Sequence, residues 1–200
     1  MLRIIDTHAH LDELEKLEPA LDKAKGAGVI AFVAVGSNHQ SNQKVMEISL
    51  SYPSFVYPAF GLHPWELGNL ESHQFDAALR FIEERAAEIV AIGEIGLDYD
   101  KRVVKAASKE LQQEALKRLL ALAKAHEKPA IIHSRYAWKD SFELVKGSGI
   151  KKPFFTGSPD FPACSRTYSM PAISFQPLQP RNTIKNTDGL SRKHLWKSYF

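Results

Sequence analysis

Along the first 150 residues, short apolar runs alternate with segments whose apolar positions recur every three or four residues. That alternation predicts a parallel sheet with crossover helices. The apolar runs place strands at Leu2 to Asp6, Val29 to Val35, Phe55 to Phe60, Ile89 to Ile95 and Ala130 to His133. The helices between them carry their own stop and start signals: Gly26 and Gly28 close the first, Asn38 or Ser41 opens the second, and Pro53 ends it. Phe75, Ala78, Leu79 and Ile82 form one apolar stripe. After Ser108, Leu111, Ala115, Leu119, Leu122 and Ala123 form another. Such stripes pack on a sheet, so they are read as core.

About five β/α units suit either an open doubly wound sheet or part of a (β/α)₈ barrel. The polar residues favour the barrel. His10, His63, Glu94 and His133 each stand at or just past the C-terminal end of a different predicted strand, where barrel enzymes carry their chemistry. A nucleotide-binding doubly wound fold would place a glycine-rich phosphate loop after the first strand, and that stretch reads H-A-H-L-D instead.

The composition is that of an ordinary globular chain: 44% hydrophobic and 24% charged over 200 residues. A formal charge of +3 permits an acidic partner without concentrating a basic patch. Cys164 is the only cysteine, which rules out an internal disulfide and points to a reducing compartment. With no apolar run of membrane-spanning length and no signal-peptide pattern at the start, the expected location is the cytoplasm, with no membrane partner.

In an extended strand, His8 and His10 project together with Cα atoms about 6.5 Å apart. Imidazoles and a carboxylate arriving from separate strands are ligands for Zn, Mn, Fe or Mg-like divalent ions. His8, His10, Glu94 and His133 are therefore the candidate ligands, with room beside the carboxylate left by Gly93 and Gly96. Asp6 is expected either to orient an imidazole from behind or to bond a strand-end backbone group. His63, in G-L-H-P-W, is a supporting residue or a substrate contact. Arg135 could meet a phosphate or form an ion pair. His39, His73, His126 and His194 are expected to be solvated and without partners.

These motifs resemble the TatD-type metal-dependent deoxyribonucleases and hydrolases. The matching stretches are I-D-T-H-A-H-L-D at 5 to 12, G-L-H-P at 61 to 64, A-I-G-E-I-G-L-D-Y at 91 to 99 and K-P-A-I-I-H-S-R-Y-A at 128 to 137. The resemblance covers residues 1 to about 152. It implies a TIM-type (β/α)₈ barrel holding up to two divalent ions, and hydrolysis of DNA or another phosphodiester by metal-activated water. Carried over by motif, His8 and His10 would hold one ion, Glu94 would bridge and take part in catalysis, and His133 would help hold the second. An amidohydrolase acting on a small ester or amide, and a non-catalytic metal-binding or interaction remnant, are the alternatives.

The family pattern also implies a histidine in H-x-F-[ST]-G after strand six and an aspartate in E-T-D at strand eight. Neither motif occurs here. From residue 153 the text changes: Pro153, Pro159, Pro162, Pro171, Pro177 and Pro180 fall within 28 residues, too densely for a crossover helix. Shifting the reading frame by one base from Pro153 permits H-W-F-T-G, so residues 153–200 are expected to be a frameshifted, poorly ordered tail after a partial barrel at 1–152. As written, such a chain would be marginally stable, prone to aggregate, weak in metal binding and poor in catalysis.

Overall fold

The computed structural model describes residues 3–156. Six strands form one sheet: β1 (Ile4–Ala9), β2 (Val29–Val35), β3 (Val56–Phe60), β4 (Ala91–Asp98), β5 (Ala130–Arg135) and β6 (Pro153–Thr156). Their order in the sheet is their order in the chain, and every neighbouring pair is parallel. A doubly wound sheet would reverse direction at a switch point. Strict succession is the winding of a (β/α)₈ barrel, as the placement of the polar residues predicts. Helices α1 (Leu17–Gly26), α2 (His39–Ser51), α3 (Ser72–Glu84), α4 (Lys101–Ala106), α5 (Lys109–Ala125) and α6 (Trp138–Ser148) fill the crossovers. Among the described residues, no helix is long and apolar enough to cross a membrane.

Two apolar clusters follow from strand alternation. Phe32, Phe60, Ile92, Ile95, Leu97 and Ile132 face the helices and pack against Ile82, Leu116, Leu119 and Leu120. Val33, Val35, Ala59, Ala91 and Ile131, with Phe154, form a smaller cluster of strand residues on the other face. Each fully buried Leu, Ile or Phe removes enough apolar surface to contribute about 1.5–3 kcal/mol.

The structure corrects several expectations. A sixth strand extends the sheet four residues into the stretch assigned to the tail. Pro153 is its first residue, a strand position where proline is tolerated, and Ala130 N–H donates to the carbonyl of Lys152 just before it. From residue 157 onward, the expected frameshifted tail and His194 lie outside the described residues. The strands at the site also run further than apolar content suggested: β1 reaches Ala9, β4 reaches Asp98 and β5 reaches Arg135. Ladder bonding continues past the point where side chains become polar. In α5 the stripe is offset: Leu111 is exposed, and Gln112 is fully buried in its place. Asn38, not Ser41, caps α2, accepting from Ser41 N–H at 2.9 Å.

Candidate metal centre

The C-terminal ends of the strands are held in place by buried side chains on α2 and α5. Asn42 is fully buried, and its carboxamide brackets Gly61, accepting from its N–H at 3.1 Å and donating to its carbonyl at 2.9 Å. This fixes the segment leading to His63, whose own N–H donates to Ser37 O at 2.8 Å. Gln112 does the same for β4: it accepts from Asp98 N–H at 2.8 Å and donates to Asp98 O at 3.0 Å and Ala107 O at 2.9 Å. After β1, Ser41 donates to buried Asp12 at 2.6 Å, and Lys44 donates to the Asp12 carbonyl, tying the turn at Leu11–Glu13 to α2.

Two glycines serve backbone approach. A Cβ on Gly96 would lie 2.0 Å from the carbonyl oxygen of His133, and one on Gly61 would lie 2.4 Å from that of Glu94. The expectation that Gly93 and Gly96 clear space beside the carboxylate is therefore corrected. A Cβ on Gly93 would strike Ile131, so both glycines let β4 lie close against β5.

Glu94 sits at the centre, almost fully buried. Its Oε2 lies 3.4 Å from His8 Nε2, 3.4 Å from His10 Nε2 and 3.8 Å from His63 Nε2. Its Oε1 lies 3.2 Å from His133 Nδ1 and accepts from Thr156 Oγ1 at 2.8 Å. Two trios result, His8–His10–Glu94 and His63–Glu94–His133, sharing one carboxylate. Burial opposes the charge on Glu94, but hydrogen bonds from His10, His133 and His8 outweigh it and hold the carboxyl far below the usual range. The Glu94 hydrogen bond in turn raises the His10 pKa against a smaller opposing effect of burial. At His133 burial lowers the pKa, and Asp98 and Glu94 together outweigh it, leaving the ring raised.

The donor set fits a divalent cation. Nitrogen and oxygen ligands about 2.1 Å from one tetrahedral ion stand about 3.4 Å apart. His8 Nε2 and His10 Nε2 each keep that separation from Glu94 Oε2. His8 and His10 meet edge to face with ring centroids 5.1 Å apart. Among the described residues, their Nδ1 atoms are buried and have no hydrogen-bond partners.

His63 differs chemically from the other three. Burial, then the neighbouring His133, pushes its pKa down to about 3. Its Nδ1 accepts from Trp65 N–H at 3.3 Å, so the neutral ring carries its proton on Nε2. That arrangement offers a proton donor on the side of Glu94, not a lone pair.

Asp6 takes the backbone option: its Oδ1 accepts from His8 N–H at 3.0 Å. A register shift in β1 between Asp6 and Ala9 breaks the simple two-residue alternation, and the Asp6 carboxylate braces that irregular segment. Arg135 is held in an ion pair, its Nε donating to Asp98 at 3.0 Å while its guanidinium lies 5.5 Å over the Trp65 ring. His39 and His73 have partners after all: His39 packs edge-on against Phe81 at 4.6 Å, and His73 lies 3.2 Å from Glu71.

Asp98 was not among the expected site residues. It is fully buried and accepts from His133 Nε2 at 3.1 Å, Arg135 Nε at 3.0 Å, Asp100 N–H at 2.9 Å and Trp65 Nε1. Burial disfavours its charge, and these donors outweigh it, keeping the carboxyl well below the ordinary range. The available signal is its place on β4 four residues after Glu94, beyond the predicted strand end at Ile95.

A parallel barrel wall with a shared carboxylate and imidazoles from several strand ends defines the class: barrel proteins with a candidate divalent-cation pocket at the C-terminal mouth. The chain belongs to the TatD-related DNase family, whose model matches residues 5–177. Human deoxyribonuclease TATDN3 is 35% identical over 159 residues, covering 74% of this chain and 58% of that protein. YabD of Bacillus subtilis, named an uncharacterized metal-dependent hydrolase, is 35% identical over 153 residues, covering 73% of this chain and 56% of that protein. The crystal structure of YJJV, a TatD homologue from Escherichia coli K12, superposes with a TM-score of 0.68 at 30% identity, covering 78% of this chain and 61% of the other. The chain thus spans a little over half the length of these two curated relatives.

Proposed function

We propose that this chain carries the metal-binding half-site of a TatD-type hydrolase, and that its substrate is a phosphodiester, DNA in the first instance. One observation carries the reading. The two oxygens of buried Glu94 face different imidazoles, His8 and His10 from β1 on one side and His133 from β5 on the other. A carboxylate so placed could serve two cations at once, and a mixed imidazole and carboxylate set suits Zn, Mn or Fe better than Mg.

In this reading His8, His10 and Glu94 would hold one ion, and Glu94 and His133 would help hold a second. Ions held there would supply the positive charge that activates water and stabilises negative charge developing on a phosphoryl oxygen. His63 presents its Nε2 proton toward that oxygen, and Arg135, fixed by Asp98 at the rim, orients a neighbouring phosphate. DNA is favoured because human TATDN3 is named a deoxyribonuclease. A cytoplasmic location agrees with a single cysteine, Cys164.

The test is cleavage of a labelled DNA oligonucleotide by the purified chain with Mn or Zn. Slow cleavage that stops with chelator and in a His8→Ala, His10→Ala variant supports the proposal. Tight metal uptake with no hydrolysis of DNA or of a simple phosphodiester would leave a binding protein instead. Hydrolysis of carboxylic esters or amides alone would move it to another amidohydrolase-type chemistry.

A further inference from the structure

Resting on the metal reading above, we propose that Asp98 is the positioning residue of the His133 half of the site: it holds the proton of His133 on Nε2 and thereby turns the Nδ1 lone pair toward the cation shared with Glu94.

The argument begins with the two ring nitrogens. His133 Nδ1 lies 3.2 Å from Glu94 Oε1, and Nε2 lies 3.1 Å from Asp98 Oδ2. A neutral imidazole has one donor and one acceptor nitrogen, and the acceptor is the one that can bind a cation. Asp98 is fully buried, and its accepting oxygen cannot turn to water for a substitute donor. A deprotonated Nε2 would set its lone pair against that carboxylate oxygen at 3.1 Å, whereas a deprotonated Nδ1 would have the cation beside Glu94 as its partner. Asp98 therefore retains the Nε2 proton, and Nδ1 is left facing Glu94.

Asp98 is also held unusually firmly. Its backbone N–H and carbonyl are both bonded by buried Gln112, and its other oxygen takes Arg135 Nε and Asp100 N–H. Trp65 Nε1 donates to the same oxygen as His133. A carboxylate fixed through both backbone and side chain sets the angle of the ring it holds, which is how outer partners tune histidine ligands. The carboxylate also ties three loops together, since Trp65 follows β3, Asp98 ends β4 and Arg135 ends β5. Among the described residues, the His8 and His10 rings have no such brace: both Nδ1 atoms are buried and unpartnered.

The experiment is zinc titration by calorimetry of wild type, Asp98→Asn and Trp65→Phe, with nitrogen-15 NMR of the histidine rings in the zinc-loaded chain. Wild type is expected to show His133 protonated on Nε2 and bonded to zinc through Nδ1. Asp98→Asn should weaken the His133 half by about 10–100-fold while sparing the His8 and His10 half. Trp65→Phe, which removes one donor to Asp98 and keeps the carboxylate, should weaken the His133 half less than Asp98→Asn does and spare the His8 and His10 half. Should Asp98→Asn not fold, the wild-type ring spectrum decides alone. Zinc on His133 Nε2, or undiminished affinity in a folded Asp98→Asn, would overturn the role of Asp98 while leaving the metal reading intact. A wild type that takes up no zinc would overturn both.

Discussion

The β1 side and the β5 side of the pocket present the same imidazole chemistry on very different foundations. Among the described residues, β1 pairs only with β2, and Ile4 and Ile5 are exposed. His8 and His10 contact each other and Glu94, and each leaves a buried nitrogen without a partner among the described residues. β5 lies between β4 and β6, and His133 has a carboxylate on each ring nitrogen. Behind one of those carboxylates stands Gln112, behind the other Thr156. The difference teaches that ligand identity and ligand preorganisation are separate properties. The β5 side is ordered by protein groups alone, whereas the β1 side has donor atoms spaced for a cation and few other groups to hold them.

Predictions can break that contrast or sharpen it. Glu94→Gln should have the largest effect, since it serves both sides: calorimetric zinc binding should fall on both by more than the roughly 100-fold typical of losing an outer partner. Next, His8→Ala with His10→Ala should remove one class of bound zinc and His133→Ala the other. Loss of both classes from either change would merge the two sides into one site. Gln112→Ala would leave the Asp98 N–H and carbonyl and the Ala107 carbonyl unpaired, costing about 3 kcal/mol in denaturant unfolding and weakening the β5 side selectively. On the β1 side, Ser41→Ala would release Asp12 and cost about 2 kcal/mol by the same measurement. Asp76→Ala, which breaks an exposed pair with Arg118 remote from both sides, should stay within about 0.5 kcal/mol and set the baseline.

The ligand candidates were legible because chemistry and periodicity coincide: histidines and a glutamate fall at the ends of apolar runs, and the barrel brings such ends together. β2 emerged with its observed limits because Val29 to Val35 is uniformly apolar. The supports were harder to see. Asn42 and Gln112 are amides in helices, indistinguishable by composition from solvated ones, and only the fold reveals that each replaces the missing bonding partner of a strand end. Asp98 is hidden because β4 runs three residues past its predicted end at Ile95, and β6 because a strand tolerates a proline at its first position. Asp6 was placed with His8 by alternation, which the register shift in β1 does not obey.

The most direct test of the central claim is anomalous diffraction from crystals of the chain grown with Zn or Mn. The expected result is metal density on both sides of Glu94, one peak bonded to His8 and His10 and the other to His133. Peaks elsewhere, or crystals soaked to saturation with no metal within bonding distance of Glu94, would contradict it.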